Sequence, residues 1–327
     1  MTRMIAFLAA VFGGIGAFVS MRWLTKSRES TPWEKAAAPG KTVDVDGVTL
    51  HYIERAPPAR SRGNVPAIVM IHGFGGHTFS YRYQLEAFGK DYRCVAIDLK
   101  GFGYSERSDS GDYSMTEQAR LVLRAMDLLG IERATLIGHS LGGEVAMRIA
   151  ASSPERVERL ILAASVSGDR VPLAPRLPFM KAFLPAWGRV TTLTTWRRMF
   201  YDRSKVDLEA IRQAYSKPLR IYGTGNTIWE MWADTRKDKH IAYAAITAPV
   251  LILWAERERI IPLASVALNR LRKHFPKAEV VRIPRTGHLL LEENPEDSNA
   301  AIRRFLGSPA DTAPPVEPEA HPVAQPA

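Results

Sequence analysis

The stretch LIGHSLGGE, Leu136 to Glu144, sets Ser140 between glycines where an apolar run gives way to a helix-forming one. A serine in such a G-x-S-x-G turn has two readings. It can be a helix N-cap, its oxygen accepting a backbone N–H of the first turn. It can also be a nucleophile held on a strained strand-to-helix turn, with Gly138, Gly142 and Gly143 small because the turn crowds its neighbours. A hydroxyl is a poor nucleophile until a base takes its proton, and that base must be oriented by a carboxylate. Both residue types follow in the chain. VLILWAERERIIP places several carboxylates just after an apolar run, and VRIPRTGHLLLEENPE places His288 in a loop after the next one. His274 sits in a helical pattern and His321 in a terminal tail, so elimination leaves His288 as the base.

These residues need a scaffold, and the pattern around them is strand and helix in alternation. KTVDVDGVTLHYIER alternates apolar and polar residues about Asp46-Gly47, a two-residue hairpin signal. AIVMIHG, CVAIDL, ATLIGHS, RLILAAS, VLILWAE and EVVRIP read as buried strands. Between them lie segments of helical spacing, one opened by a Ser114–Glu117 capping box and closed at Gly130. The fold class is therefore α/β, a mostly parallel sheet with helices on both faces. From about Gly168 to His240 the strand pattern stops and a stretch rich in Trp, Tyr, Phe and Arg intervenes, which reads as an inserted helical cap.

The ends stand apart from this body. Met4 to Met21 carries no charge for about 18 residues, near the lower limit for a membrane-spanning helix. The favoured reading is an uncleaved single-pass membrane anchor, with a cleaved signal peptide as the rival; basic residues on both flanks leave its orientation open. SPADTAPPVEPEAHPVAQPA reads as a disordered tail. The expected division is 1–28 anchor and basic flank, 29–167 first part of the core, 168–240 cap, 241–307 second part of the core, and 308–327 tail.

Composition removes other classes. The chain has 327 residues and a formal charge of +10, but its Lys and Arg are scattered and no base-stacking motif accompanies them, so nucleic acid is not expected as a partner. The single cysteine, Cys94, lies in an apolar run and reads as a buried filler. No metal motif is present, and GFGYSE and GTGNTI each lack the third glycine of a dinucleotide turn, so no cofactor is expected.

Five separated motifs, HGFGG (His72 to Gly76), DLKGFGYSER (Asp98 to Arg107), GHSLGG (Gly138 to Gly143), LILWAERERIIP (Leu251 to Pro262) and TGHLLLEENPE (Thr286 to Glu296), together make the chain resemble the α/β-hydrolase superfamily. It is most similar to the capped branch of esterases, epoxide hydrolases and C–C hydrolases. The resemblance covers roughly Val43 to Leu306 and has the triad order Ser, acid, His. It implies that the backbone N–H groups of Phe74 and Leu141 form an oxyanion hole. Where the family has W-G-x-x-D-x-x-x-P this chain reads W-A-E-R-E-x-x-x-P, so the matching acid is Glu258 and the glycine position holds Ala255. Asp169 is the alternative acid, since some relatives place it after the preceding strand; Glu256 reads as a solvated neighbour.

A serine at the elbow sets the chain apart from dehalogenases and epoxide hydrolases, which form their ester on an aspartate there. The expected function is a serine hydrolase that cleaves small-molecule carboxylic esters of apolar or lipid-like kind through an acyl-enzyme. Trp196, Phe200, Tyr201, Trp229 and Trp232 are candidates to line its acyl pocket, against the ordinary role of such residues as core. A C–C bond hydrolase of diketone-type substrates, a cofactor-free perhydrolase, and a non-catalytic binding protein on the same fold are the alternatives.

Overall fold

The computed structural model describes residues 29–36, 38–58, 65–108, 111–168, 198–234, 237–261 and 263–307. Eight strands, β1 (Lys41–Val45), β2 (Val48–Arg55), β3 (Ala67–Ile71), β4 (Arg93–Ile97), β5 (Ala134–His139), β6 (Val157–Ala163), β7 (Val250–Ala255) and β8 (Glu279–Ile283), form one sheet in the order β1-β2-β4-β3-β5-β6-β7-β8. The β1–β2 and β2–β4 pairs are antiparallel and all others parallel. Asp46 and Gly47 both take positive φ, 54° and 82°, as a two-residue hairpin turn requires. β3, β5 and β7 are buried throughout, which is why their sequences run apolar without alternation.

The helices of the described residues are α1 (Arg82–Phe88), α2 (Met115–Leu128), α3 (Leu141–Ser152), α4 (Leu208–Ser216), α5 (Thr224–Asp234), α6 (Ala264–His274), α7 (Leu290–Glu293) and α8 (Pro295–Leu306). α2 starts as its capping box implies, with Ser114 Oγ accepting the Glu117 N–H at 3.1 Å. Alternate residues of β3 enter separate cores. Ala67, Val69 and Ile71 pack with residues of α2, α3 and α6, whereas Ile68 and Met70 pack with residues of α1 and α8. Cys94 lies in the second core, its thiol pushed up to about 12 by burial, which makes it an unreactive filler.

The chain order places the site. From β3 the chain steps to β4 on one side and then crosses to β5 on the other, so the loops after β3 and β5 diverge at neighbouring strand ends. A crevice at such a switch point is where open α/β sheets bind ligands. The insertion leaves from the end of β6, beside β5, and contributes α4 and α5. Residues 169–197, which include Asp169 and Trp196, lie outside the described residues.

One expectation changes. The membrane anchor, and with it the membrane as partner and location, is not supported: among the described residues no helix is long and apolar enough to cross a membrane. The longest of them, α2, has 14 residues and carries charges along its length, short of the roughly 20 apolar residues that a span needs. Met4 to Met21 and the tail 308–327 lie outside the described residues. Ahead of the hairpin, residues 29–33 are tied to the rest of the fold. Thr31 bridges to Ile221, the Glu29 carboxylate accepts the N–H groups of Gly223 and Gly225, and Trp33 Nε1 donates to Tyr104 O at 2.8 Å.

One buried carboxylate ties the loops above the sheet together. Asp98, at the end of β4, accepts the backbone N–H of Thr78 at 2.6 Å and of Tyr104 at 2.8 Å, and His51 Nδ1 donates to it at 2.8 Å. His51 Nε2 donates to Pro39 O at 2.7 Å, so both ring nitrogens face acceptors and the ring is held as the cation. Burial opposes the Asp98 charge, but His51 and the neighbouring histidines outweigh it and pull the carboxyl down to about 2. The native form thus holds the charged carboxylate more strongly than the unfolded chain does. That stability is present above the ordinary aspartate value of 3.8 and is lost as pH falls through the native value. We expect Asp98→Asn to lower stability at neutral pH by about 2 kcal/mol and to flatten the fall in stability across the acid range, read by urea titrations at successive pH values. An unchanged acid slope would show that Asp98 carries no such linkage.

Candidate active site

β5 ends at His139 and α3 begins at Leu141, which leaves the change of direction to Ser140 at φ 52° and ψ −116°. A residue with a Cβ is strained there by about 1–3 kcal/mol. Close packing maintains it: a Cβ on Gly142 would lie 2.1 Å from Ile71 O, and one on Gly138 2.5 Å from Gly142 O. Ser140 N donates to Ala163 O at 2.9 Å, so the turn is also tied to β6. Although Ser140 occupies the N-cap position of α3, its side chain accepts no helix N–H. The N-cap reading fails on that point, and Ser140 lines a cavity instead.

His288 lines the same cavity and is buried. Its Nδ1 donates to Glu258 Oε2 at 2.8 Å, which leaves Nε2 with its lone pair. The other carboxylate oxygen of Glu258 accepts the N–H groups of Ile260 at 2.7 Å and Ile261 at 3.1 Å. Burial works against this charge, but the hydrogen bond and charge of His288 and these two N–H groups hold the carboxyl below the usual glutamate range. The acid therefore stays ionised at neutral pH, with its longer side chain folded back onto the loop that follows it. Glu256 is exposed and accepts the Arg285 N–H, outside the cavity.

The HGFGG loop packs against Ser140. A Cβ on Gly73 would lie 3.0 Å from Ser140 Cβ. His72 braces this loop by accepting the Leu99 N–H on Nε2 at 3.0 Å and donating from Nδ1 to Gly73 O at 2.7 Å. Both contacts are met by the neutral ring, and burial lowers its pKa accordingly. Phe74 lines the cavity, and Leu141 opens α3, where the first N–H groups lack helical acceptors. Among the described residues neither the Phe74 nor the Leu141 N–H donates to a protein acceptor.

Four supports went unassigned at the sequence level. His139, its pKa lowered to about 3 chiefly by burial, is neutral and donates from Nε2 to His288 O at 2.9 Å. Glu293 accepts the N–H groups of Gly287 at 2.7 Å, Tyr201 at 3.0 Å and Asp202, joining the His288 loop to the returning insertion. Glu292 pairs with Arg82 and with Tyr215 of α4. His72 is the fourth. The signal was present in LLLEE, where acids directly follow an apolar run; buried acids of that kind need partners.

The cavity has a volume of about 140 Å³ and is lined mainly by Phe74, Met199, Phe200, Ile211, Leu219, Ile260 and Leu289. Of the aromatic residues expected there, Phe200 lines it, Tyr201 is exposed, and Trp229 is buried elsewhere. Trp196 lies outside the described residues, as does the side chain of Trp232.

Comparison with known proteins agrees with this fold. The family model of the alpha/beta hydrolase fold matches residues 66–295. An uncharacterized hydrolase of Bacillus subtilis is 27% identical over 83% of this chain and 99% of its own. The 2-hydroxy-6-oxononadienedioate/2-hydroxy-6-oxononatrienedioate hydrolase of Burkholderia vietnamiensis is 30% identical over 83% of this chain and 96% of its own. Among solved structures, a bacterial membrane phospholipase A shares the fold, with a TM-score of 0.65 at 22% identity, covering 94% of this chain and 98% of that one. On the strength of the strand order, the turn at Ser140 and these matches, the chain belongs to the α/β-hydrolase fold family and is a hydrolase.

Proposed function

We propose that the protein is a serine hydrolase of apolar carboxylic esters. Ser140 is the nucleophile, His288 the base, Glu258 the orienting acid, and the N–H groups of Phe74 and Leu141 the oxyanion hole. The observation that carries this reading is the strained Ser140 turn in one apolar cavity with a His288 whose Nδ1 is held by Glu258. His288 Nε2 takes the Ser140 proton as Oγ bonds to the ester carbonyl carbon. The same proton then goes to the departing alkoxide, which leaves an acyl-enzyme. Water gives a proton to His288, attacks the acyl carbon and releases the acid, restoring Ser140. Throughout, Glu258 fixes the ring and offsets the imidazolium charge. In this reading residues 168–240 are a cap between the two parts of the core, 29–167 and 241–307, and Phe200, Ile211 and Leu219 are its contribution to the acyl pocket among the described residues. The pocket volume is close to the roughly 150 Å³ that holds one benzene ring, which favours short acyl groups.

A second reading, a C–C bond hydrolase of diketone-type substrates, is favoured by the 30% identity to the Burkholderia vietnamiensis enzyme. The same nucleophile and base serve it. Against a dianionic substrate stands the wall itself: histidines aside, Arg212 is the only cation among the described lining residues, and Glu209 neutralises it through contacts of 2.8 Å and 2.6 Å. Parallel assays of p-nitrophenyl esters and a vinylogous diketone acid decide between the two by their ratio of kcat/KM.

Ser140→Ala is expected to remain folded while losing both ester turnover and covalent labelling by a fluorophosphonate; retained labelling would place the nucleophile elsewhere. Ser140→Gly relieves the backbone strain, so its melting temperature should exceed that of Ser140→Ala, with a difference of about 1 kcal/mol in stability. Glu258→Gln should lower kcat on the order of 10³- to 10⁴-fold, since the amide no longer fixes the His288 tautomer or offsets its charge. A loss below about tenfold, on the same free-energy scale, would move the acid to another carboxylate, Asp169 first.

A further inference from the structure

Among the polar residues of the cavity wall, Ser80 and Tyr215 belong to a chain of hydrogen bonds whose direction can be worked out. Tyr215, on α4 of the insertion, donates its O–H to Glu292 Oε1 at 2.5 Å. Ser80 Oγ lies 2.7 Å from the same phenol oxygen. The other carboxylate oxygen of Glu292 accepts an N–H of Arg82 at 2.5 Å. Burial raises the Glu292 pKa against the opposing pull of Arg82 and Tyr215; the contacts themselves, a guanidinium N–H on one oxygen and a phenol O–H on the other, are those of a carboxylate that accepts from both. An ionised carboxylate only accepts. Burial and the Glu292 charge also hold the Tyr215 phenol well above its ordinary pKa, so it keeps its proton.

Proton counting then fixes each bond. The phenol has a single proton and gives it to Glu292, so it must accept from Ser80. Ser80 has a single proton and gives it to Tyr215. Only lone pairs remain on Ser80 for anything that enters the cavity. An isolated serine hydroxyl rotates to serve as donor or acceptor. This one is polarised by the Arg82–Glu292 pair, acting through Tyr215.

We propose that Ser80 Oγ is a fixed hydrogen-bond acceptor in the acyl pocket, and that the protein selects esters whose acyl chain carries a hydroxyl or N–H donor. This rests on the reading of Ser140 as the nucleophile of an ester hydrolase. The surrounding wall is apolar, so a donor that meets Ser80 regains the bond it gave up in water. An ether oxygen in the same place faces lone pairs with lone pairs and is rejected.

The experiment measures kcat/KM for p-nitrophenyl esters of short straight-chain acids hydroxylated at successive carbons, each beside its unsubstituted and methoxy counterparts. In the wild type, one hydroxyl position should be favoured about three- to tenfold over the unsubstituted chain, and its methoxy counterpart disfavoured. Tyr215→Phe releases the Ser80 proton, so the methoxy ester should become a better substrate. Ser80→Ala should bring both ratios to about unity by the same arithmetic, and melting curves of both variants check that they remain folded. Equal rates for the three kinds of ester in the wild type, or a hydroxyl preference that survives Ser80→Ala, overturns the acceptor assignment while plain-ester turnover leaves the hydrolase reading standing. If no ester is hydrolysed and Ser140 takes no fluorophosphonate, both fall.

Discussion

The backbone of Ser140 is the constraint on which the site depends. A φ of 52° with a ψ of −116° is unfavourable for any residue with a Cβ. The compensation is external: β5 and β6 are hydrogen-bonded up to the turn, and Gly142 is pressed against the carbonyls of Ile71 and His72 at the end of β3. Sheet packing is thus spent on holding one hydroxyl away from the helix whose N-cap position it occupies. Because the HGFGG loop leaves the same strand end, the conformation that presents Ser140 also sets the distance to the Phe74 N–H.

Buried carboxylates carry the next level of organisation, each joining segments that are remote in sequence. Asp98 binds His51 of β2 and the backbone of two loops. Glu258 binds His288 and the turn that follows its own strand. Glu293 binds the His288 loop and the returning insertion, and Glu292 joins α1 to α4 through Arg82 and Tyr215. A buried carboxylate costs several kcal/mol unless its lone pairs are filled, so each acts as a restraint on the donors around it. Loops that would otherwise be set only by non-directional apolar contact are in this way held in one geometry.

The insertion is bound to the body in the same manner. Apart from Tyr215, the half-buried Arg107 donates to Gly103 O and Ser105 O of the body and to Pro218 O and Thr224 Oγ1 of the insertion, and the segment at Glu29–Trp33 adds a further strap. Its contacts at the cavity are mostly apolar, through Phe200, Ile211 and Leu219, with polar ties at the edges. That division gives a wall that excludes water while its position is fixed by hydrogen bonds.

Much of this was legible in the residues. The strands, the Asp46-Gly47 hairpin and the Ser114 cap follow from local propensity and period, and the fold class follows from their alternation. As candidates, Ser140 and His288 were legible because a G-x-S-x-G turn and a loop histidine after a strand are short local motifs, and Glu258 because it fills a matched position. Tertiary structure decided the rest. It brought Glu258 to His288 across 30 residues, showed the Ser140 side chain free of its helix, and gave partners to His72, His139, Glu292 and Glu293, which sequence spacing does not connect. It also selected Phe200 over Tyr201 and Trp229 as a cavity residue, and placed Glu29–Trp33 on the insertion. The physical reason is common to all of these: a side chain's type sets which bonds it can make, but the partner of a buried polar group is chosen by which distant backbone arrives beside it when the sheet closes its layers.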